Sequence, residues 1–253
     1  MVDTHCHIFS EYYDDIQGVI DRAMEAGVRA LIVNGYDMAS NKEVLELVKK
    51  YDIVYGALGI QPEEVDDVLE EDLKFIEEHI NDEFIVAVGE IGLDYHYECD
   101  KEKQKEIFKR QLEIAAKYNK PVIVHSRDCI QETYDILKMF PVKGIMHCYS
   151  GSVEMAHLFN KLGFMLGIGG ICTFKNANSI IEVIKNIDLE YIVLETDCPY
   201  LAPVPYRGRV NEPSYIPVIL QRISDVKGMN YKEVEAATTL NVLRLFDKNV
   251  KLW

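Results

Sequence analysis

The chain has 253 residues, 48% of them hydrophobic and 27% charged, with a formal net charge of −15. That balance suits one globular domain with a sizeable core, and the longest run free of Asp, Glu, Lys and Arg, Leu162 to Phe174, is 13 residues, too short to cross a bilayer. The acidic surplus argues against a broad cationic surface for gripping duplex nucleic acid, leaving only local, metal-dependent contact with a short polyanionic segment.

Short runs rich in Val, Ile and Gly predict eight buried strands, separated by charged stretches with apolar residues at helical spacing. The first, Val2–Ile8, contains His5-x-His7. Residues two apart in a strand face the same side, which puts Asp3, His5 and His7 on one face and Thr4, Cys6 and Ile8 on the other. Ala30–Asn34 and Val54–Ile60 follow. The fourth, Ile85–Ile91, carries Glu90, and alternation places it on the face of Val86 and Val88. A helix over Lys101–Asn119 is striped by Ile107, Phe108, Leu112, Ala115 and Ala116. The fifth strand, Val122–His125, ends in a histidine with Arg127 on the same side. The sixth, Gly144–His147, does so with Tyr149 on its side. Phe164–Gly167 is the seventh; its Gly167-Ile-Gly-Gly170 reads as close packing rather than a phosphate cradle. The eighth, Ile192–Glu195, leads to Asp197, with Glu195 one layer deeper. A Pro-, Tyr- and Arg-rich connection, Pro199–Pro213, ends where Pro213 can take the first helical position, and the last helix, Tyr231–Phe246, is striped by Ala236, Ala237, Leu240 and Leu243.

Eight strands alternating with helices imply parallel pairing through right-handed crossovers. No linker or composition shift divides them. The expectation is an α/β fold, a single (β/α)8 TIM barrel over residues 1–253, with a doubly wound open sheet as the alternative.

A barrel gathers the C-terminal ends of its strands around one pocket, and His5, His7, Glu90, His125, His147 and Asp197 all sit at such ends. Leaving so many polar groups unpaired there is costly, whereas metal coordination satisfies them. Four imidazoles and two carboxylates exceed what one tetrahedral ion takes. They suit two divalent ions sharing a carboxylate, which together activate water and stabilise a leaving oxygen. Cys6, Cys148 and Cys198 adjoin ligands but have the opposite parity, so thiolate ligation is not expected. His79 and His157 lie in charged helical segments, and His96, in the loop after the fourth strand, either reaches substrate or sits on the surface. The six cysteines, scattered without CxxC pairs, and an N-terminus without a secretory pattern read as a reduced, cytoplasmic protein with no membrane association and no obligate protein partner.

The segments Val-Asp-Thr-His-Cys-His (2–7), Gly-Glu-Ile-Gly-Leu-Asp-Tyr (89–95), Pro-Val-Ile-Val-His-Ser-Arg (121–127), His-Cys-Tyr-Ser-Gly (147–151) and Leu-Glu-Thr-Asp-Cys-Pro-Tyr-Leu (194–201) resemble those of the TatD family of metal-dependent deoxyribonucleases, within the amidohydrolase-like barrels. The resemblance runs in order from residue 2 to about residue 246 and includes Arg-Val-Asn-Glu-Pro (209–213). It implies one ion held by His5, His7, Glu90 and Asp197 and a second by Glu90, His125 and His147, with Glu90 bridging. Two departures stand out: Ile8-Phe9 where many members have Leu-Asp, and Gly-Ile-Gln-Pro (59–62) where many have Gly-x-His-Pro. Gln61 bears on substrate contact, not on the ligand set.

The implied activity is hydrolysis of DNA phosphodiester bonds, as a 3′–5′ exonuclease on single-stranded or frayed ends, with two Mg2+, Mn2+ or Zn2+ ions. Asp197 would act as base beside the bridging Glu90. Arg127, and further along Arg207 and Arg209, could clamp a phosphate; Tyr149, Tyr95 and Tyr200 could stack bases. The rival on the same barrel is an ester, amide or lactone hydrolase, or an aminoacyl-tRNA deacylase. Many such enzymes bridge their metals with a carboxylated lysine, and Glu90 fills that place here. A non-catalytic metal or nucleic-acid binding protein is the rival of another class; binding alone needs neither a base nor an open two-metal centre.

Overall fold

In a computed structural model describing residues 1–246 and 250–251, the eight strands form one sheet ordered as in the chain. They are β1 (Val2–Cys6), β2 (Ala30–Asn34), β3 (Val54–Leu58), β4 (Ile85–Asp94), β5 (Val122–Arg127), β6 (Gly144–Met146), β7 (Phe164–Ile168) and β8 (Ile192–Leu194). Each pairs in parallel with the next. The sheet curls until β1 meets the residues after β8. There the backbones of Cys6 and Cys198 pair as an isolated parallel β-bridge, their thiols free, Asp197 N donates to His5 O at 2.9 Å, and His7 N donates to Cys198 O at 2.8 Å. This is the expected TIM barrel. Residues 247–249 and 252–253 of the expected 1–253 span lie outside the described residues.

Helices α1 (Ile16–Glu25), α2 (Met38–Lys50), α3 (Glu70–His79), α4 (Lys101–Tyr118), α5 (Ile130–Leu137), α6 (Val153–Lys161), α7 (Asn178–Asn186), α8 (Ile216–Lys227) and α9 (Tyr231–Leu245) cover the barrel. None among the described residues is long and apolar enough to cross a membrane. In α4, Asp100 caps the free N–H groups of Glu102 and Lys103, and Ile107, Phe108, Leu112 and Ala115 face the core, as the spacing predicts. Asn119 stops it at φ 51°, the left-handed conformation an asparagine tolerates. The stripe expected on α9 is displaced. Leu240 is exposed, and the buried face is Val234, Thr238, Asn241, Val242 and Leu245. The reason is polar: the Asn241 amide donates to Leu189 O and Ile192 O, both at 2.8 Å, so an apolar count misses the residue that sets the rotation.

Two apolar layers result. Between strands and helices lie side chains such as Leu31, Val33, Leu58 and Val124. Inside the barrel lie Val2, Ile32, Tyr55, Val86, Ile123 and Val193, against Val242, Leu245 and Phe246 from the end of α9. These plug the end of the barrel opposite the strand C-termini.

Strict alternation fails in two strands. Val2 packs inside the barrel and Cys6 outside it, although four residues apart. From Asp3 to Cys6, three steps on β1 run against two on β2, so one extra residue is accommodated there. Asp3 consequently aligns with the outward Leu31 rather than sharing a face with His5. In β4, Val86 and Ala87 both pack inside while Val88 packs outside. Extra residues occur between Ile85 and Ala87 and again between Val88 and Ile91. The two irregularities cancel, and Glu90 points inward without Val88 beneath it.

Candidate metal centre

The C-terminal ends of β1, β4, β5, β6 and β8 bring His5, His7, Glu90, His125, His147 and Asp197 into one pocket. Glu90 lies at its centre. Its Oε2 is 3.3 Å from His5 Nε2 and 3.6 Å from His7 Nε2, while its Oε1 is 3.0 Å from His125 Nδ1 and 3.5 Å from His147 Nε2. Asp197 Oδ1 is 3.8 Å from His5 Nε2 and 3.7 Å from His7 Nε2, and the latter two nitrogens are 3.0 Å apart. The His5 and His147 rings stack at 3.7 Å. Three groups of potential ligand atoms lie within 4.8 Å of one another: His5, His7 and Glu90; Glu90, His125 and His147; and His5, His147 and Asp197.

Hydrogen bonds behind the rings decide what the front atoms offer. His7 Nδ1 lies 2.9 Å from Asn34 O; a carbonyl only accepts, so Nδ1 carries the proton and Nε2 of the neutral ring presents a lone pair. His125 Nε2 lies 2.9 Å from Asp94 Oδ2, which turns Nδ1 toward Glu90. His147 Nδ1 lies 3.4 Å from Glu195 Oε1. Lone pairs and carboxylate oxygens therefore face one another at 3.0–3.8 Å, an arrangement that is repulsive unless a cation or proton lies between them. The donor set fits divalent ions: imidazole nitrogens and carboxylate oxygens, with His7 and His125 oriented by hydrogen bonds from behind and His147 by the nearby Glu195 carboxylate, while His5 Nδ1 is buried without a partner.

Charge balance agrees. Burial, reinforced by the His147 charge, pushes His5 well below the usual imidazole range, and burial lowers His7. Burial also acts to lower His125, but the Asp94 and Glu90 carboxylates outweigh it and raise the ring to about 10. His147 rises to about 9, where Glu195, Asp197 and Glu90 overcome burial. Glu90 is held well below the carboxylate range: burial works against this, and His147, His5 and His125 prevail. Asp197 is pushed up to about 7 by burial, with His147 opposing. The raised His125 and His147 rings would give up protons on taking a metal, so metal binding would release protons.

Asp94 and Glu195, the carboxylates behind His125 and His147, were not among the expected site residues. Alternation already put Glu195, two residues before Asp197, one layer beneath it without giving it a role, and could have found Asp94, four residues beyond Glu90. β4 runs to Asp94 because the Gln104 amide on α4 grips that residue's backbone, accepting from its N at 3.0 Å and donating to its O at 2.8 Å. Glu195 fits because Gly167 has no side chain; a Cβ there would lie 2.0 Å from Glu195 Oε2. A second buried network ties β1 to β8. Asp3 accepts from His5 N at 3.2 Å, Thr196 N at 3.0 Å and Thr196 Oγ1 at 2.6 Å. Asn211 Nδ2 donates to Thr196 O at 2.8 Å, fastening the long connection over them.

The three expected substrate contacts are placed differently. Arg127 is exposed at the rim, its guanidinium 5.4 Å from the Tyr97 ring centre. Arg209 lies over Tyr206, which stacks on Tyr215 near the start of α8, and among the described residues it makes no contact with the ligand cluster. Tyr149 is a correction: it is buried against Phe159, and its hydroxyl donates to Ser152 O at 2.7 Å. Cys148 takes φ 44°, which breaks alternation and turns Tyr149 into the core. Cys148 itself is partly exposed, and its N donates to Glu195 Oε1 at 2.5 Å.

The sequence matches the model of "TatD related DNase" over residues 2–247. It is 42% identical over 254 residues to the uncharacterized metal-dependent hydrolase YabD of Bacillus subtilis, covering 98% of this chain and 100% of that one. It is 33% identical to the uncharacterized metal-dependent hydrolase YcfH of Escherichia coli, covering 97% and 95%. The crystal structure of YjjV, a TatD homologue from Escherichia coli, superposes with a TM-score of 0.93 at 30% identity, covering 98% of each chain. With this match along its length, the chain belongs to the TatD family and is a metal-dependent hydrolase.

Proposed function

We propose that this hydrolase cleaves phosphodiester bonds in DNA, removing nucleotides from single-stranded or frayed 3′ ends, with two ions per chain. The observation that carries the reading is the division of Glu90, whose two oxygens face separate histidine pairs. Such a centre suits in-line displacement at phosphorus, where attacking and leaving oxygens both need support. His5, His7, Glu90 and Asp197 would hold one ion, and Glu90, His125 and His147 the other. When bound, Mg2+, Mn2+ or Zn2+ supplies a water of lowered pKa and positive charge for the phosphoryl oxygens.

The protein's own groups divide the remaining work. Asp197 is the more open of the two central carboxylates, its side chain 14% exposed against 5% for Glu90. It takes the proton of the attacking water. Glu90 stays fixed among four imidazoles. Arg127, without an ion pair among the described residues, is free to clamp a non-bridging phosphate oxygen. The alternative ester or lactone hydrolase lacks a comparable feature here, because Glu90 stands on β4 where a carboxylated lysine would bridge.

The test uses purified protein with each metal on end-labelled single-stranded DNA, beside ester, lactone and aminoacyl-ester substrates. Mononucleotides should be released from the 3′ end. Asp197→Asn should lower kcat by about 10²–10⁴-fold, the usual worth of a positioned base. Brisk lactone or ester turnover with intact DNA would overturn the nuclease reading.

A further inference from the structure

Three tyrosines stand over the His5, His7 and Asp197 side of the pocket. Tyr36, two residues beyond β2, sets its ring edge-on to His7 at 5.6 Å between centres. Tyr12, from the connection after β1, and Tyr200, whose N donates to Asp197 O at 2.9 Å, meet edge to face at 5.9 Å. Their hydroxyls form a chain. Tyr200 Oη is 3.1 Å from Tyr12 Oη, Tyr12 Oη is 3.1 Å from Tyr36 Oη, and Tyr36 Oη bonds the Glu11 carboxylate.

This chain has one direction. A carboxylate only accepts, so the single Tyr36 proton goes to Glu11. Tyr36 can then only accept from Tyr12, and Tyr12 only from Tyr200. Every phenol proton is committed toward Glu11. Tyr200, 52% exposed, is left with an oxygen that has lone pairs and no proton to offer.

We propose that this relay reads the free 3′-hydroxyl of the terminal nucleoside, which donates to Tyr200 Oη, and rejects an end that carries phosphate. The inference rests on the nuclease reading and adds which chemical end that site takes. A hydroxyl supplies the proton that Tyr200 lacks. A terminal phosphate brings negative charge and oxygens that mainly accept, toward a wall made of three phenols and a carboxylate whose hydrogen-bonded groups include no cation among the described residues. Rejection of the phosphate end therefore follows from the direction of the relay as well as from charge.

The metal-loaded protein is assayed on a 5′-labelled single strand ending in 3′-hydroxyl and on the same strand ending in 3′-phosphate. The hydroxyl end should be favoured in kcat/KM by about tenfold, the scale of one hydrogen bond made or missed. Tyr200→Phe keeps the ring, loses the oxygen, and should bring the ratio of the two ends toward one. Glu11→Gln offers an amide donor to Tyr36, lets each phenol turn its proton outward, and should shift preference toward the phosphate end. A wall acting only by shape would leave the ratio unmoved in Glu11→Gln. Equal rates on both ends, with Tyr200→Phe behaving as wild type, overturn the relay and leave the nuclease reading standing. Cleavage of neither strand, beside turnover of an ester or lactone, overturns both.

Discussion

Glu90 stands between the two histidine pairs of the pocket, each of its oxygens facing a different pair, which makes it the proposed bridge. Glu90→Gln should therefore cost more than a charge. One face of the amide is an N–H group, which opposes a ligand lone pair instead of completing a coordination sphere. Metal analysis of the purified variant should find one ion or fewer per chain; two ions bound at wild-type affinity would remove Glu90 as the bridge. The backing carboxylates act less directly. Asp94→Asn keeps a hydrogen bond to His125 and loses the charge, and should weaken metal binding about 10–100-fold, as such outer partners usually do. Thr196 permits a finer comparison on the other half. Thr196→Ser keeps the hydroxyl that Asp3 receives at 2.6 Å, whereas Thr196→Val removes it at nearly constant volume. Titration calorimetry should find weakened metal binding for the valine variant and recovery for the serine one; equal behaviour would confine Thr196 to packing.

At the level of elements, the eight strands were legible because a barrel buries both faces of each, which leaves nearly continuous runs of Val, Ile and Gly. The clustering of His5, His7, Glu90, His125, His147 and Asp197 was legible because polar residues closing such runs are costly without a purpose. Alternation misled wherever the chain inserts an extra residue. Asp3 and Val88 were assigned to the wrong face, and Tyr149 was sent to the pocket although the left-handed Cys148 turns it into the core. An inserted residue leaves no mark on composition, so counting by twos cannot detect it. The rotation of α9 escaped for a related reason: Asn241, a buried amide, fixes it. That helix carries its own prediction. Phe246 is buried in the barrel's closed end, and Phe246→Ala should lose about 3–5 kcal/mol of stability through the cavity it leaves. Chemical denaturation measures this, and the metal content of the folded variant should stay unchanged, because the plug and the pocket lie at opposite ends of the strands.

Across the whole molecule, a net charge of −15 sets how a polyanion can approach. A nuclease that grips a long strand neutralises many phosphates with Lys and Arg, and its affinity falls steeply with salt. Here the centre is ringed by carboxylates, and Arg127 stands at the rim without an ion pair among the described residues. On the proposed nuclease reading, the protein as a whole would repel DNA, and attraction would be confined to bound ions and one guanidinium. Binding of a short single strand should then show a shallow salt dependence, with a log–log slope of about −1, corresponding to one or two phosphates on a single strand. Arg127→Ala should flatten it further and raise KM more than it lowers kcat, since the guanidinium would meet phosphate before and during the reaction alike. Fluorescence anisotropy between low and physiological salt, in the metal-loaded protein, gives the slope directly. A slope of about −5 or steeper would require a long phosphate-binding track, and the picture of an acidic enzyme meeting only the end of its substrate would have to be abandoned.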